Sequence, residues 1–268
     1  MFKRLYPLFL LCLLCTACAS KPGASSRSTV PAEASGSFFQ SIPGENRLVF
    51  IGAAGKRSNP NETLRFALED AARQVAIFHR VSGEYAVENN IGSGAFDYSH
   101  HTYTQLNYDR EGSIQYVDAL QYNADADSIE IDNVFFIRAT YPSALPVPVS
   151  YRPRYSGKNK KPDWIDNLSI EIDGYDAAVS YSGRLSSLAD TYTNSCHNAI
   201  FALIKNINTV AQSSGSLYQN TGSLFGYKTS SNNITYSYGT LSGFYVLDTW
   251  LDPDTRWVWT LAIAPKNR

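Results

Sequence analysis

Apolar positions recur every three or four residues in two long stretches of the chain, and this spacing predicts two amphipathic helices. The stripes consist of Leu64, Leu68, Ala71, Val75 and Phe78 in the first stretch, and of Tyr192, Cys196, Ala199, Leu203 and Ile207 in the second. Asn59-Pro60-Asn61-Glu62 predicts the start of the first helix, which is expected to end near Ser82-Gly83. Ser187-Leu188-Ala189-Asp190 is a capping box for the second.

The two halves of the sequence resemble each other. A buried strand is predicted before each helix, at residues 48–55 and 175–182. A constant offset of 128 residues superimposes, without a gap, Gly55 on Gly183, Lys56 on Arg184, Ala71 on Ala199 and Val75 on Leu203. This correspondence predicts that the halves are copies of one unit.

Strand-like segments follow each predicted helix. They lie at 84–91, 103–108, 114–121 and 133–141 in the first half, and at 217–227, 234–238, 243–250 and 257–263 in the second. Asp252-Pro253-Asp254 is typical of a hairpin turn. The pattern predicts an α+β protein of two tandem modules, each with one helix packed on an antiparallel or mixed β-sheet.

Composition indicates where the modules begin and end. Residues 18–45 are predicted to be a flexible tether, because their part rich in Ser, Ala, Pro and Gly buries too little apolar area to offset its ordering entropy. Residues 146–162 contain several prolines and a basic patch, and they are expected to form a locally stiffened linker. The modules are therefore predicted at 46–145 and 163–268.

Residues 1–17 are typical of a signal peptide. Lys3 and Arg4 precede an apolar run at 5–14, which is too short to span a bilayer. Small residues then lead to Cys18, and the segment resembles the lipobox of bacterial lipoproteins. The resemblance implies that Cys18 becomes the first mature residue and carries a thioether-linked diacylglycerol.

An alternative for this segment is an ordinary secretory signal cut after Ala17 or Ala19, which would release a soluble protein. With acylation, two or more acyl chains would hold the mature chain stably to a membrane. Lipoproteins kept at the inner membrane favour Asp after the lipidated cysteine, whereas this chain has Ala19 and Ser20. The resemblance therefore implies the outer membrane, with the periplasmic face expected and the cell surface left open.

Cys196 is the single thiol expected in the mature chain, because Cys12 and Cys15 leave with the signal and Cys18 would be acylated. No intramolecular disulfide can then form, and Cys196 is predicted to be buried as a small apolar residue. The alternative is a catalytic thiol beside His197, but neighbours on a helix do not face each other.

The charges of the chain are well mixed. Loss of Lys3 and Arg4 with the signal leaves 21 of the 23 basic residues against 24 acidic ones, a formal charge near −3. The sequence has no stripe of basic residues, so it does not predict a nucleic-acid-binding surface. Plentiful Tyr and Phe favour sheet.

The sequence contains no nucleophile elbow, phosphate loop, dinucleotide fingerprint or paired zinc-ligand motif, so no catalytic, cofactor-binding or metal residue is assigned. Cys18 is the only predicted modification site. His100-His101 are expected in a loop. The segment 123–127 imitates the start of a calcium loop, but Ser128 and Val134 stand where that loop needs glycine and a bidentate glutamate. A weak, one-sided calcium site is left open.

Asp248, Asp252 and Asp254 are predicted to lie in a turn, where Asp is favoured for its backbone hydrogen bonds. A glycosidase would need two carboxylates that face each other across a cleft, and the sequence does not show this.

Four tryptophans are the other candidates for function: Trp164, Trp250, Trp257 and Trp259. Trp257 and Trp259 lie two positions apart and share one strand face. We expect this face to be the helix-covered core. The alternative is a binding platform, and exposure of the face would favour it.

The order of Pro162-Asp163-Trp164-Ile165, a strand, a capped helix and a closing aromatic hairpin resembles the LPP-twenty-like bacterial lipoproteins. The resemblance would cover most of residues 46–268 as two modules, although the first has only Phe38-Phe39 in place of the Pro-x-Trp entry. It implies a non-enzymatic envelope protein with a structural or assembly role through protein contacts, with flagellar or outer-membrane association. The alternatives are a periplasmic module that binds peptidoglycan or another glycan and, third, an enzyme.

Overall fold

The computed structural model describes residues 38–41, 43, 46–91, 98–143, 149–157, 159–167, 170–207, 209–219 and 227–266. These residues form a mixed α+β fold with the helices α1 (Pro60–His79) and α2 (Leu188–Ile207). The strands in chain order are β1 (Arg47–Gly55), β2 (Val81–Ile91), β3 (Tyr98–Asn107), β4 (Ser128–Ile131), β5 (Val134–Pro142), β6 (Tyr155–Ser156), β7 (Lys161–Pro162), β8 (Tyr175–Ser182), β9 (Thr209–Gln219), β10 (Tyr227–Leu241), β11 (Tyr245–Leu251) and β12 (Val258–Pro265).

The sheets are antiparallel. Two of them have three strands, in the orders β1-β5-β4 and β11-β12-β8. The short strands β6 and β7 pair with each other, and a four-stranded sheet has the order β3-β2-β10-β9. The central pair of this larger sheet, β2 with β10, joins the two halves of the chain.

Local signals start both helices as predicted. The Asn59 side chain accepts a hydrogen bond from the Asn61 amide, and Pro60 is the first residue of α1. Ser187 Oγ accepts from the Asp190 amide and donates to the Asp190 carboxylate. These bonds satisfy helix-end donors that would otherwise lack a partner.

The elements repeat with the predicted spacing. The helices begin at residues 60 and 188 and end at 79 and 207, which is a separation of 128 at both ends. The same separation relates the starts of β1 and β8, at 47 and 175, and both ends of β2 and β9.

The two three-stranded sheets lie between α1 and α2 and contribute to two apolar clusters. The cluster with α1 includes Phe50, Ala54, Ala71, Val75, Tyr245, Leu261 and Ile263. The cluster with α2 includes Ile51, Phe136, Cys196, Leu203, Val258 and Ala262. Because residues alternate along a strand, each sheet supplies one face to each cluster. Both clusters therefore draw on both halves of the chain.

The end of the predicted tether packs against this body. Phe39 is buried, and its ring lies 5.1 Å from that of Phe136 in an edge-to-face arrangement. The Ser41 amide donates to the carbonyl of Leu247 at 2.9 Å. The predicted tether at 18–45 therefore overlaps the folded body at residues 38–41.

Three predicted segments differ in the structure. Residues 114–121, predicted as a strand, lie mostly in a 3-10 helix (Gly112–Ala119), because the Asp109 carboxylate accepts from the Gly112 amide and starts a turn. His100-His101, predicted in a loop, lie in β3. The strand predicted at 217–227 overlaps only the end of β9 and the start of β10.

Candidate functional site

Three aromatic side chains form a patch at one end of the β11-β12-β8 sheet, two of them exposed and Trp259 half-buried. The rings of Tyr181 and Trp257 stack 5.1 Å apart with an angle of 2° between their planes. Trp259, directly opposite Tyr181 in the pairing of β8 with β12, lies 4.8 Å from the Tyr181 ring. Tyr181 is 48% exposed and Trp257 is 38% exposed. We call these three residues the aromatic patch, a surface of the kind that marks interaction sites.

The prediction that Trp257 and Trp259 share a core face fits only Trp259, which is half-buried and packs against the apolar cluster that contains α1, whereas Trp257 is exposed. Helix α2 covers the opposite face of the sheet, where Thr260 is buried and lies 2.7 Å, between side-chain oxygens, from Ser195. Alternation along β12 then directs Trp259 away from α2, and Trp257 lies just before the strand. A separation of two residues places side chains on one strand face but does not say which face is covered, so the sequence could not predict it.

A groove runs beside the patch along β8, which is an outer strand of its sheet. Tyr181, Arg184, Asn194 and Asn198 are among the residues that line it. Asn198 of α2 donates to the carbonyl of Tyr181 at 2.8 Å. The aromatic patch therefore continues into a polar groove at a sheet edge.

A second aromatic surface lies on the four-stranded sheet. Tyr103, Tyr236 and Tyr238 are exposed there, and the last two rings are 5.6 Å apart. Tyr103 and Tyr236 both stand opposite Ala86 in the strand pairing. We call these three residues the tyrosine face.

A seam separates β1 from β11, because among the described strands β1 is paired with β5 alone, along one of its two edges. The hydroxyl of Tyr245 accepts from the Val49 amide and donates to the Val49 carbonyl, at 2.9 and 3.0 Å. Gln74 and Tyr192 donate to the carbonyl of Ile51. Side chains from β11 and from both helices thus satisfy these three backbone groups of the edge.

A further group on this edge is the Ala53 amide, which donates to Asp70 at 2.9 Å. The other carboxylate oxygen of Asp70 accepts from Arg73, also at 2.9 Å. Burial raises the pKa of Asp70, while Arg73 and the Ala53 amide act in the opposite direction. The polar groups of the seam therefore have structural partners, and sequence reasoning missed them because the edge pairing joins distant elements.

A cavity of about 430 Å³ opens at this seam, between α1 and α2. Its apolar walls include Ile51, Ile77, Ile200, Phe244 and Val246, and its polar lining includes Arg73, Thr193 and His197. Burial lowers the pKa of His197 to about 4, and the charges of Arg110 and Arg73 add to this effect. His197 is therefore a neutral side chain near two guanidinium groups at pH 7.

Cys196 also lines this cavity, and its burial confirms the sequence prediction. Burial raises the pKa of the thiol to about 12. A thiol that stays protonated is a poor nucleophile, which supports the role of a small apolar residue.

Asp248 is fully buried in β11, so the prediction that it lies in a turn is wrong. One carboxylate oxygen accepts from Trp164 Nε1 and from the Tyr155 hydroxyl, both at 2.7 Å. Burial raises the pKa of Asp248 to about 7. These bonds fasten the predicted linker and the Pro-x-Trp segment to the second half. Asp252, by contrast, accepts from the Asp254 amide in the predicted hairpin turn.

The side chains of the calcium-like segment 123–127 form hydrogen bonds with the backbone of the same segment. Asn123 accepts from the amides of Asp125 and Ala126, and Asp127 accepts from the Asn123 amide. In the part of the chain that the structure describes, no three His, Cys, Asp or Glu side chains are grouped as metal ligands would be.

Cys18 and residues 1–17 lie outside the described residues, so the lipidation prediction stays a prediction. Among the helices of the described residues, none has the length and apolar content for a membrane crossing. Comparison of the chain with protein-family models, with curated proteins and with solved structures finds no match.

Proposed function

We propose that this chain is a lipid-anchored envelope lipoprotein, held through Cys18 at the periplasmic face of the outer membrane, that binds another envelope protein through the aromatic patch. The lipobox supports the anchor, because its charge, apolar run and small residues precede Cys18 in the required order. The exposed patch is the observation that supports binding. The role of the protein is non-enzymatic, and it contributes to envelope architecture or assembly.

The arrangement of the rings favours a protein partner. A sugar stacks on the open face of an aromatic ring, but Tyr181 and Trp257 cover one face of each other. Each of these two rings therefore keeps at most one face free for stacking, next to the outer strand β8. Rigid aromatic anchors beside a polar rim are typical of protein interfaces.

The non-enzymatic proposal is supported by the seam. Asp70, Gln74, Tyr192 and Tyr245 are bonded to the backbone of β1, and the Cys196 thiol stays protonated. A catalytic site needs ionisable groups free to act on a substrate.

We also propose that the fold is a duplication of one unit in tandem. The helices, the strands before them and the strands after them recur 128 residues apart, which supports this origin. The Pro-x-Trp segment and the lipobox support membership of the LPP-twenty-like group.

Site-specific photocrosslinking in intact cells tests the binding proposal. A benzophenone amino acid at position 257 is expected to give a discrete protein adduct, and Trp257→Ala in the otherwise native chain should weaken capture of that partner about tenfold or more. Tyr122, which is 42% exposed and outside both aromatic surfaces, is the matched control position. Absence of a protein adduct at 257, or equal adducts at 122, would contradict the proposal.

A second candidate function is binding of peptidoglycan or another glycan, and the tyrosine face favours it. Its rings are exposed, and Glu84 stands opposite Tyr238 on the same face of the sheet. Retention on purified sacculi that is lost in Tyr236→Ala and Tyr238→Ala, but kept in Trp257→Ala, would select this candidate.

A further inference from the structure

The seam cavity has the construction of a small-molecule site. Its volume of about 430 Å³ falls within the roughly 300–1,000 Å³ of typical ligand pockets. Ile51, Ile77, Ile200, Phe244 and Val246 give it an apolar interior. The polar groups of Asp70, Gln74 and Tyr245 are already bonded to the β1 edge, so a ligand in the interior needs few polar groups.

Two arginines, Arg73 and Arg110, lie where the cavity meets a neighbouring cleft. Arg73 lines both the cavity and a neighbouring cleft, and Arg110 and Tyr108 line that cleft with it. One Arg73 nitrogen is bonded to Asp70, while Arg110 lies over the Tyr108 ring, 5.4 Å from its centre. Glu69, also in the cleft, is paired with Arg65 at 2.8 Å.

Two acidic residues line the cavity, Asp70 beside Arg73 and Asp190 in α2. Asp190 lines the cavity in the first turn of α2, seven positions before His197, which corresponds to about 10 Å along a helix. Its carboxylate accepts hydrogen bonds from Ser186 and Ser187. Both carboxylates are thus hydrogen-bonded within the protein.

We propose that the cavity binds an amphipathic carboxylate, with the acyl chain among the isoleucines and the carboxylate at Arg73 and Arg110. An Arg fork pairs well with a planar carboxylate, and neutral His197 can add a hydrogen bond. The site is independent of the aromatic patch and of the anchor.

Calorimetric titration of the folded chain with decanoate tests this assignment, with decyltrimethylammonium as the probe of equal chain length and opposite charge. Decanoate is expected to bind with one-to-one stoichiometry and to shift the isoleucine methyl signals of Ile77 and Ile200. The cation is expected not to bind.

Variants locate the two ends of the ligand. Arg110→Gln should weaken decanoate binding about fivefold, and Thr193→Trp should abolish it by filling the mouth. Lys56→Gln, which removes the same charge from an ion pair with Glu130 outside the cavity, should leave binding unchanged. Circular dichroism confirms that each variant is folded. Failure of folded wild-type chain to bind decanoate, equal binding of the cation, or unchanged affinity in both cavity variants would overturn the proposal.

Discussion

Gly52 shows how one residue positions an element. A Cβ at this position would lie 1.8 Å from the carbonyl oxygen of Ala67, a backbone atom that cannot move without the helix. Gly52→Ala should therefore push α1 off β1 and lower the free energy of unfolding by about 3 kcal/mol, measured by urea denaturation. Gly55→Ala is the control, because nothing lies within 4 Å of its Cβ, and it should change stability by less than about 0.5 kcal/mol. Equal effects of the two substitutions would contradict this packing.

Asp248 makes the stability of the fold depend on pH. Its pKa is about 7 in the folded chain against an ordinary value of 3.8, so between these values the folded state holds a proton that the unfolded state has lost. The free energy of unfolding should fall as pH rises from about 4 to about 7, and this contribution should be constant above pH 7.

Asp248→Asn should reduce this slope in thermal or urea unfolding measured at successive pH values. Asp125→Asn, at an exposed position, should keep the wild-type slope. If Asp248→Asn left the pH dependence of the wild-type chain unchanged, the raised pKa would be wrong.

At the scale of elements, β1 depends on side chains where a second strand would normally pair. Tyr245→Phe removes the hydroxyl that serves both the amide and the carbonyl of Val49. Two backbone groups then lose their partner, and we expect a loss of about 2 kcal/mol and faster hydrogen exchange at the Val49 amide.

The control for this substitution is Tyr122→Phe, which removes an exposed hydroxyl and should alter neither quantity. Unchanged protection of the Val49 amide in Tyr245→Phe would show that another group satisfies this edge.

The elements that sequence could predict are those specified by their own residues. Asn59 and Ser187 cap helices within a few positions, and the apolar stripes have the period of a helix. The strand prediction for the segment around Ile114 is wrong, because the turn that Asp109 starts has a stronger effect there than the β-forming residues. Strand faces and edges depend on distant partners, so the exposure of Trp257 and the burial of Asp248 could not be read from the chain.

At the scale of the whole molecule, the two halves of the chain are packed into each other. Each apolar cluster takes residues from both halves, and β2 pairs with β10 across them. This leaves the aromatic patch at an end of the second sheet and the seam cavity between the two helices. The proposed anchor would present both surfaces near a membrane.

The anchor is the central claim, and intact mass of the native protein from membranes tests it most directly. The account predicts a mature chain that begins at an acylated Cys18, together with loss of membrane association in Cys18→Ala. An unmodified, soluble chain that begins after Ala17 or Ala19 would contradict the anchor, and a secreted binding protein or enzyme would then be the better account.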